Sequence, residues 1–120
     1  MSIFGDILKA ALEPIKAAKT AVFADGDGEA IDEWSRDESQ DEARFMGAHW
    51  GVILSQTFDA AERTGMGTVL EITIHGSNDN VIILGVRERF YLALSAKVKE
   101  PLFRLKRILA GVRRQISEEM

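Results

Sequence analysis

The chain has 120 residues, 46% of them apolar and 28% charged, with a formal net charge of −4. That length supports one hydrophobic core and hence a single domain over residues 1–120, not two. There is no cysteine, which excludes disulfides, a thiolate nucleophile and a zinc ribbon, and no run approaches the ~20 apolar residues of a membrane span.

The N-terminus, Met1-Ser2-Ile3-Phe4-Gly5-Asp6, lacks the basic start and apolar block of a signal peptide, so a cytoplasmic location is expected. Ile3, Ile7, Leu8, Ala11, Leu12 and Ile15 recur at helical spacing, predicting a helix over 3–18 with Ser2 as N-cap. Pro14 removes a backbone donor, so a kink or an end is expected near Glu13. Ala21-Val22-Phe23-Ala24 then reads as a short strand, and the Asp-Gly pairs after it read as a hairpin turn, with the return strand reaching residue 35.

That acidic turn invites a metal reading, which fails on its own terms. A helix-loop-helix calcium site needs oxygen ligands at loop positions 1, 3 and 5, glycine at 6 and a bidentate glutamate at 12. Asp25, Asp27 and Glu29 satisfy the first three, but Ala30 falls at the glycine position and Arg36 at the glutamate position. No Gly-Lys-Ser/Thr ending supports a phosphate loop.

A capping box, Ser39-Gln40-Asp41-Glu42, opens a long helix that runs to about Thr64, with Gly65 as its stop. Ala43, Met46, Trp50, Ile53, Leu54, Thr57 and Ala61 form a face able to cover a sheet. Phe45, His49, Val52 and Gln56 line a second, half-apolar face where a surface helix would ordinarily be charged. Residues 68–75 alternate, with Leu70, Ile72 and Ile74 on one side and Glu71, Thr73 and His75 on the other. Residues 81–86 are apolar throughout, as a strand covered on both faces would be, and residues 90–96 form a further apolar strand. A last helix spans 101–117, with Pro101 at its first position, Leu102, Leu105, Leu109, Val112 and Ile116 inward, and Arg104, Arg107 and Arg114 outward. The order α-β-β-α-β-β-β-α predicts an α+β fold, a three-layer α/β/α sandwich around a five-stranded antiparallel sheet.

Charge is unevenly placed. Residues 25–44 hold nine acids and two bases, and residues 97–114 hold seven bases and one acid. Two solvated faces would account for this, as would a bipolar surface that orients partners. A nucleic-acid surface is not expected, because the basic residues occupy one helix face without interleaved exposed aromatics or overall positive charge.

This order, filled this way, resembles the Roadblock/dynein light chain family from about Ile7 to Ile116. The resemblance rests on Ala21-Val22-Phe23-Ala24-Asp25-Gly26-Asp27-Gly28, on the long helix leading into Leu70-Glu71-Ile72-Thr73-Ile74, and on Phe90-Tyr91-Leu92-Ala93-Leu94 with the basic stretch and Leu102 to Val112 behind it. In character the chain is most similar to the prokaryotic MglB-like regulators of small GTPases. The charged segment Trp34 to Glu38 departs from the pattern. The resemblance implies a dimer in which the third strand pairs with its copy and the second helices lie side by side. It also implies a small Ras-like GTPase as partner, whose hydrolysis it can stimulate, and no cofactor. An adaptor subunit of a larger complex, or a small-molecule sensor domain of similar fold, is the alternative.

The residues agree on one point independently: an alternating strand without proline, beside a helix with a second apolar stripe, suits a self-complementary interface. The expected dimer or partner surface is therefore Phe45, His49, Val52 and Gln56 with Glu71, Thr73 and His75, and Arg104, Arg107 and Arg114 form a basic surface. Catalytic residues are not expected: there is no Ser-His-Asp order or paired-carboxylate context. His49 and His75 lie on separate elements and read as surface or interface histidines rather than metal ligands. An arginine finger from Arg104, Arg107 or Arg114 would rest on charge alone.

Overall fold

The computed structural model describes residues 2–37 and 40–120, with side chains except at 40–46 and 48. The elements are α1 (Ile3–Leu12), β1 (Ala18–Asp25), β2 (Ala30–Ser35), α2 (Gln40–Arg63), β3 (Glu71–His75), β4 (Asp79–Val86), β5 (Phe90–Lys97) and α3 (Leu102–Glu118). The strands form one antiparallel sheet in the order β2-β1-β5-β4-β3. The first hairpin thus docks on the last strand, and β3 is left at an edge. α1 and α3 pack side by side on one face and α2 lies on the other, which is the expected sandwich.

Side-chain alternation sorts two cores. Ala21, Phe23, Ile82, Leu84, Leu92 and Leu94 meet Leu8, Leu12, Leu105, Leu109, Val112 and Ile116 beneath α1 and α3. Val22, Ala24, Val81, Ile83, Tyr91 and Ala93 meet Leu54 beneath α2, with Trp50 and Phe58 partly buried there. The apolar run of β4 divides between the two, which is why it shows no polar face.

Several element ends differ from expectation. α1 stops at Leu12, because Pro14 cannot continue it, and β1 starts at Ala18 rather than Ala21. Ser2 makes no side-chain cap to α1; its hydroxyl donates instead to Asp32 of β2. The Asp32 carboxylate also accepts the Gly5 amide at 2.9 Å. At the other end of α1 the Arg36 guanidinium donates to the carbonyls of Leu12 (3.2 Å), Glu13 (3.0 Å), Ile15 (2.9 Å) and Ala18 (3.0 Å), and it lies 5.1 Å from the centre of the Trp34 ring. The charged segment after Trp34 is therefore a clamp. Two residues four apart on the β2 edge place an anion at the N-terminus and a cation at the C-terminus of one helix, as its dipole favours. Four extended residues span about 13 Å, close to the length of a ten-residue helix.

In the hairpin turn only Gly28 has positive φ (84°), so the two-residue turn expected from Asp-Gly does not form. One Asp25 carboxylate oxygen accepts the Asp27 and Glu29 amides at 3.0 Å each and shapes a four-residue loop instead. Pro101 sits one position before the first residue of α3. Ser39 and the side chains of residues 40–42, and with them the expected capping box, lie outside what is described.

Candidate interaction surface

α2 meets the sheet through small residues. Gly47 and Gly51 are buried against it: a Cβ on Gly47 would stand 2.7 Å from a Val22 methyl, and one on Gly51 2.5 Å from the Tyr91 hydroxyl and 3.1 Å from Gly28 Cα. Missing side chains thus let the helix backbone come within hydrogen-bond reach of a core side chain, and the Tyr91 hydroxyl donates to the Gly47 carbonyl at 2.6 Å. Burial, and next the nearby Asp25 carboxylate, push the Tyr91 pKa up to about 12.

This seating turns the helix. Leu54 and Ala61 are buried as expected, but Ile53, expected inward, is 36% exposed. Gly47 and Gly51, not Ile53, set the contact line, which rotates the inward face away from the one read from apolar spacing. His49, Val52 and Gln56 are exposed, Val52 at 58%. The side chains of Phe45, Ala43 and Met46 lie outside those described.

α2 rests on β2 and β1 and reaches β5. The α2-side residues of β3, Ile72 and Ile74, are consequently only half-buried, and Leu70 just before them is 72% exposed. The regular pairing of β3 begins at Glu71, not Thr68; Gly65 and Gly67, both left-handed, carry the chain out of α2, and residues 68–70 keep one bond to β4, from the Gly85 amide to the Leu70 carbonyl at 3.3 Å.

The expected surface residues are not all brought together. Glu71, Thr73 and His75 point to the α3 side of the sheet, opposite α2. Glu71 pairs there with Lys106 at 2.9 Å and accepts a bond from the Thr73 hydroxyl at 3.2 Å; His75 is exposed. The apolar residues left open on the α2 side are Ile53, Leu70, Ile72 and Ile74, none of which was singled out as a surface from the sequence. Helical spacing assigns Ile53 to the sheet-covering face and alternation puts Leu70, Ile72 and Ile74 on one side of their strand, but nothing in one dimension says that α2 stops short of β3. Arg104, Arg107 and Arg114 are exposed on α3; Arg104 pairs with Glu100 at 3.2 Å, while Arg114 lines a cleft of about 810 Å³ with Arg87, Arg113 and Leu70. Among the described residues no group of three or more His, Cys, Asp or Glu could hold a metal ion, and no helix is long and apolar enough to cross a membrane.

Three helices sandwiching this sheet order, with α2 alone on one face and the β3 edge open, define the Roadblock/LC7 fold. The superpositions bear this out. A Roadblock/LC7 domain from Streptomyces avermitilis matches with a TM-score of 0.86 at 17% identity, over 96% of this chain and 95% of that one. Myxococcus xanthus MglB matches at 0.86 and 12% identity, over 98% and 94%. An MglB structure described as having a tetrameric arrangement matches at 0.83 and 14% identity, over 98% and 90%. No protein-family model matches the chain, and no curated relative does.

Proposed function

We propose that this protein is a dimeric, non-enzymatic regulator that binds a small Ras-like GTPase. The observation that carries the reading is the open apolar surface of His49, Val52, Ile53 and Gln56 on α2 and Leu70, Ile72 and Ile74 at the edge strand. Two such surfaces related by a two-fold axis cover each other: β3 pairs with its copy, the sheet continues through the axis, and the α2 helices lie side by side. The fold likeness to MglB structures, one of them tetrameric, supports assembly. The GTPase is the partner that the family resemblance implies. Regulation then acts by positioning the GTPase's own groups, and stimulated hydrolysis is the form to be tested first.

Solution mass by light scattering tests the dimer. The wild-type chain is expected at twice its 13.3 kDa, and Val52→Glu, which buries a charge at the two-fold contact, is expected at the monomer mass with its circular dichroism unchanged. A monomeric wild type would remove the dimer. Hydrolysis by each small Ras-like GTPase of the source cell, with and without the protein, tests the partner; absence of both a complex and a rate change in all of them would leave the adaptor reading.

A further inference from the structure

The outer side of α3 carries a face that its packing does not require. Leu105, Leu109, Val112 and Ile116 point into the core. On the opposite side Phe103, Arg107, Ala110 and Arg114 fall on one line of the helix, and Phe103 is 68% exposed. The turn before the helix adds exposed Lys97, Val98 (46%) and Lys99. Glu100 is engaged with Arg104 and Glu71 with Lys106. Exposed Glu118 and Glu88 lie only toward the Arg114 end, in the cleft that Arg114 lines, and Lys97, Lys99, Arg107 and Arg114 form no ion pair among the described residues.

The stretch from Lys97 to Arg114 sums to +6 in a chain of net −4, which leaves −10 on the rest. Exposed acids such as Asp27, Glu29 and Asp37 gather around β2, at the opposite edge of the sheet from the β3 strand to which Lys106 is tied. An anionic surface would therefore attract one side of the molecule and repel the other, which fixes orientation. Charge alone would suit any acidic partner. The protruding Phe103 ring and Val98 narrow the choice: they stand on a convex helix among cations, the arrangement by which an interfacial helix seats apolar groups at the acyl boundary and cations among headgroups.

We propose that α3 and the turn before it dock flat on an anionic lipid bilayer, with Phe103 and Val98 entering the headgroup boundary and Lys97, Lys99, Arg107 and Arg114 meeting lipid phosphates. This is independent of the GTPase reading and of the dimer. A dimer paired through β3 would set two such faces on the same side and raise apparent affinity by avidity.

Co-sedimentation of the full chain with vesicles is the test. Binding to phosphatidylcholine vesicles carrying about 30 mol% phosphatidylserine is expected to exceed binding to pure phosphatidylcholine by about tenfold or more, and to fall at about 0.5 M salt. Lys99→Glu/Arg107→Glu, at two exposed and unpaired positions, is expected to lower it about tenfold or more, and Phe103→Ser about three- to tenfold at unchanged charge. Circular dichroism checks folding; Lys97→Glu/Arg114→Glu provides an independent charge reversal if the first pair loses its fold. Equal binding to both vesicle types, or no loss on either reversal, overturns the proposal. So does binding that Phe103→Ser leaves intact and that soluble polyglutamate competes away, which would assign the face to an acidic protein.

Discussion

Arg36 shows how much one side chain can settle. Its guanidinium meets four carbonyls, those of Leu12 and Glu13 at the end of α1, where a helix otherwise leaves acceptors without partners, and those of Ile15 and Ala18 in the chain that leads into β1. Arg36→Ala is expected to cost about 2–3 kcal/mol, seen as a lower urea midpoint at unchanged m. Arg36→Lys restores little, because a point charge cannot fork between the carbonyls. Tyr91 offers a second test with a pH signature. Its raised pKa means that the folded state holds the proton more tightly than the unfolded chain. The stabilisation is complete below pH 10, the unfolded value, and is lost as pH rises through 10 toward 12. Tyr91→Phe is expected to lose about 1 kcal/mol at neutral pH with the bond to Gly47, and to show a shallower alkaline decline in chemical denaturation.

At the scale of elements, the seating of α2 depends on two absent side chains. Glycine inside a helix ordinarily costs about 1 kcal/mol relative to alanine. A Cβ on Gly111 in α3 would meet nothing within 4 Å, so Gly111→Ala is expected to stabilise by up to about 1 kcal/mol. Gly51→Ala should have the opposite sign, costing about 1–3 kcal/mol, because the new methyl meets the Tyr91 hydroxyl and the Gly28 backbone. Thermal unfolding of the two variants side by side checks the reversal. Two gains would mean that α2 is free to lift from the sheet. The clasp of α1 between Asp32 and Arg36 belongs to this scale too: a ten-residue helix is marginal alone and is held at both ends by the strand beneath it.

For the whole molecule the open β3 edge is the defining feature. α2 covers one half of its face of the sheet, and the other half ends in Ile72 and Ile74, half-buried, with Leu70 beside them. In the proposed dimer a second copy completes that layer, so folding and association are linked. The thermal midpoint is then expected to rise with protein concentration for the wild type and to be independent of it for Val52→Glu. Concentration-independent midpoints for both would mean that the edge is not closed by a copy.

Sequence alone determined the element order, the two-sided burial of β4, a break in α1 near Pro14 (as a kink or an end) and the inward line of α3. Each follows from local periodicity or from the geometry of one residue, which neighbours distant in sequence do not override. It also exposed the second stripe of α2, since helical spacing places His49, Val52 and Gln56 together without reference to anything else. Tertiary structure decided the rest. The charged exit of β2 became a clamp only when the fold brought Arg36 to the end of α1, a pairing across more than twenty residues. The inward face of α2 was set by Gly47 and Gly51, whose role lies in what they lack and is invisible to apolar spacing. Alternation had already divided the side chains of β3, but only the fold decided which set faces α2 and left Ile72 and Ile74 half-covered, because α2 seats over the far strands, a placement fixed by the packing of Tyr91, Val22 and Gly28 against its backbone.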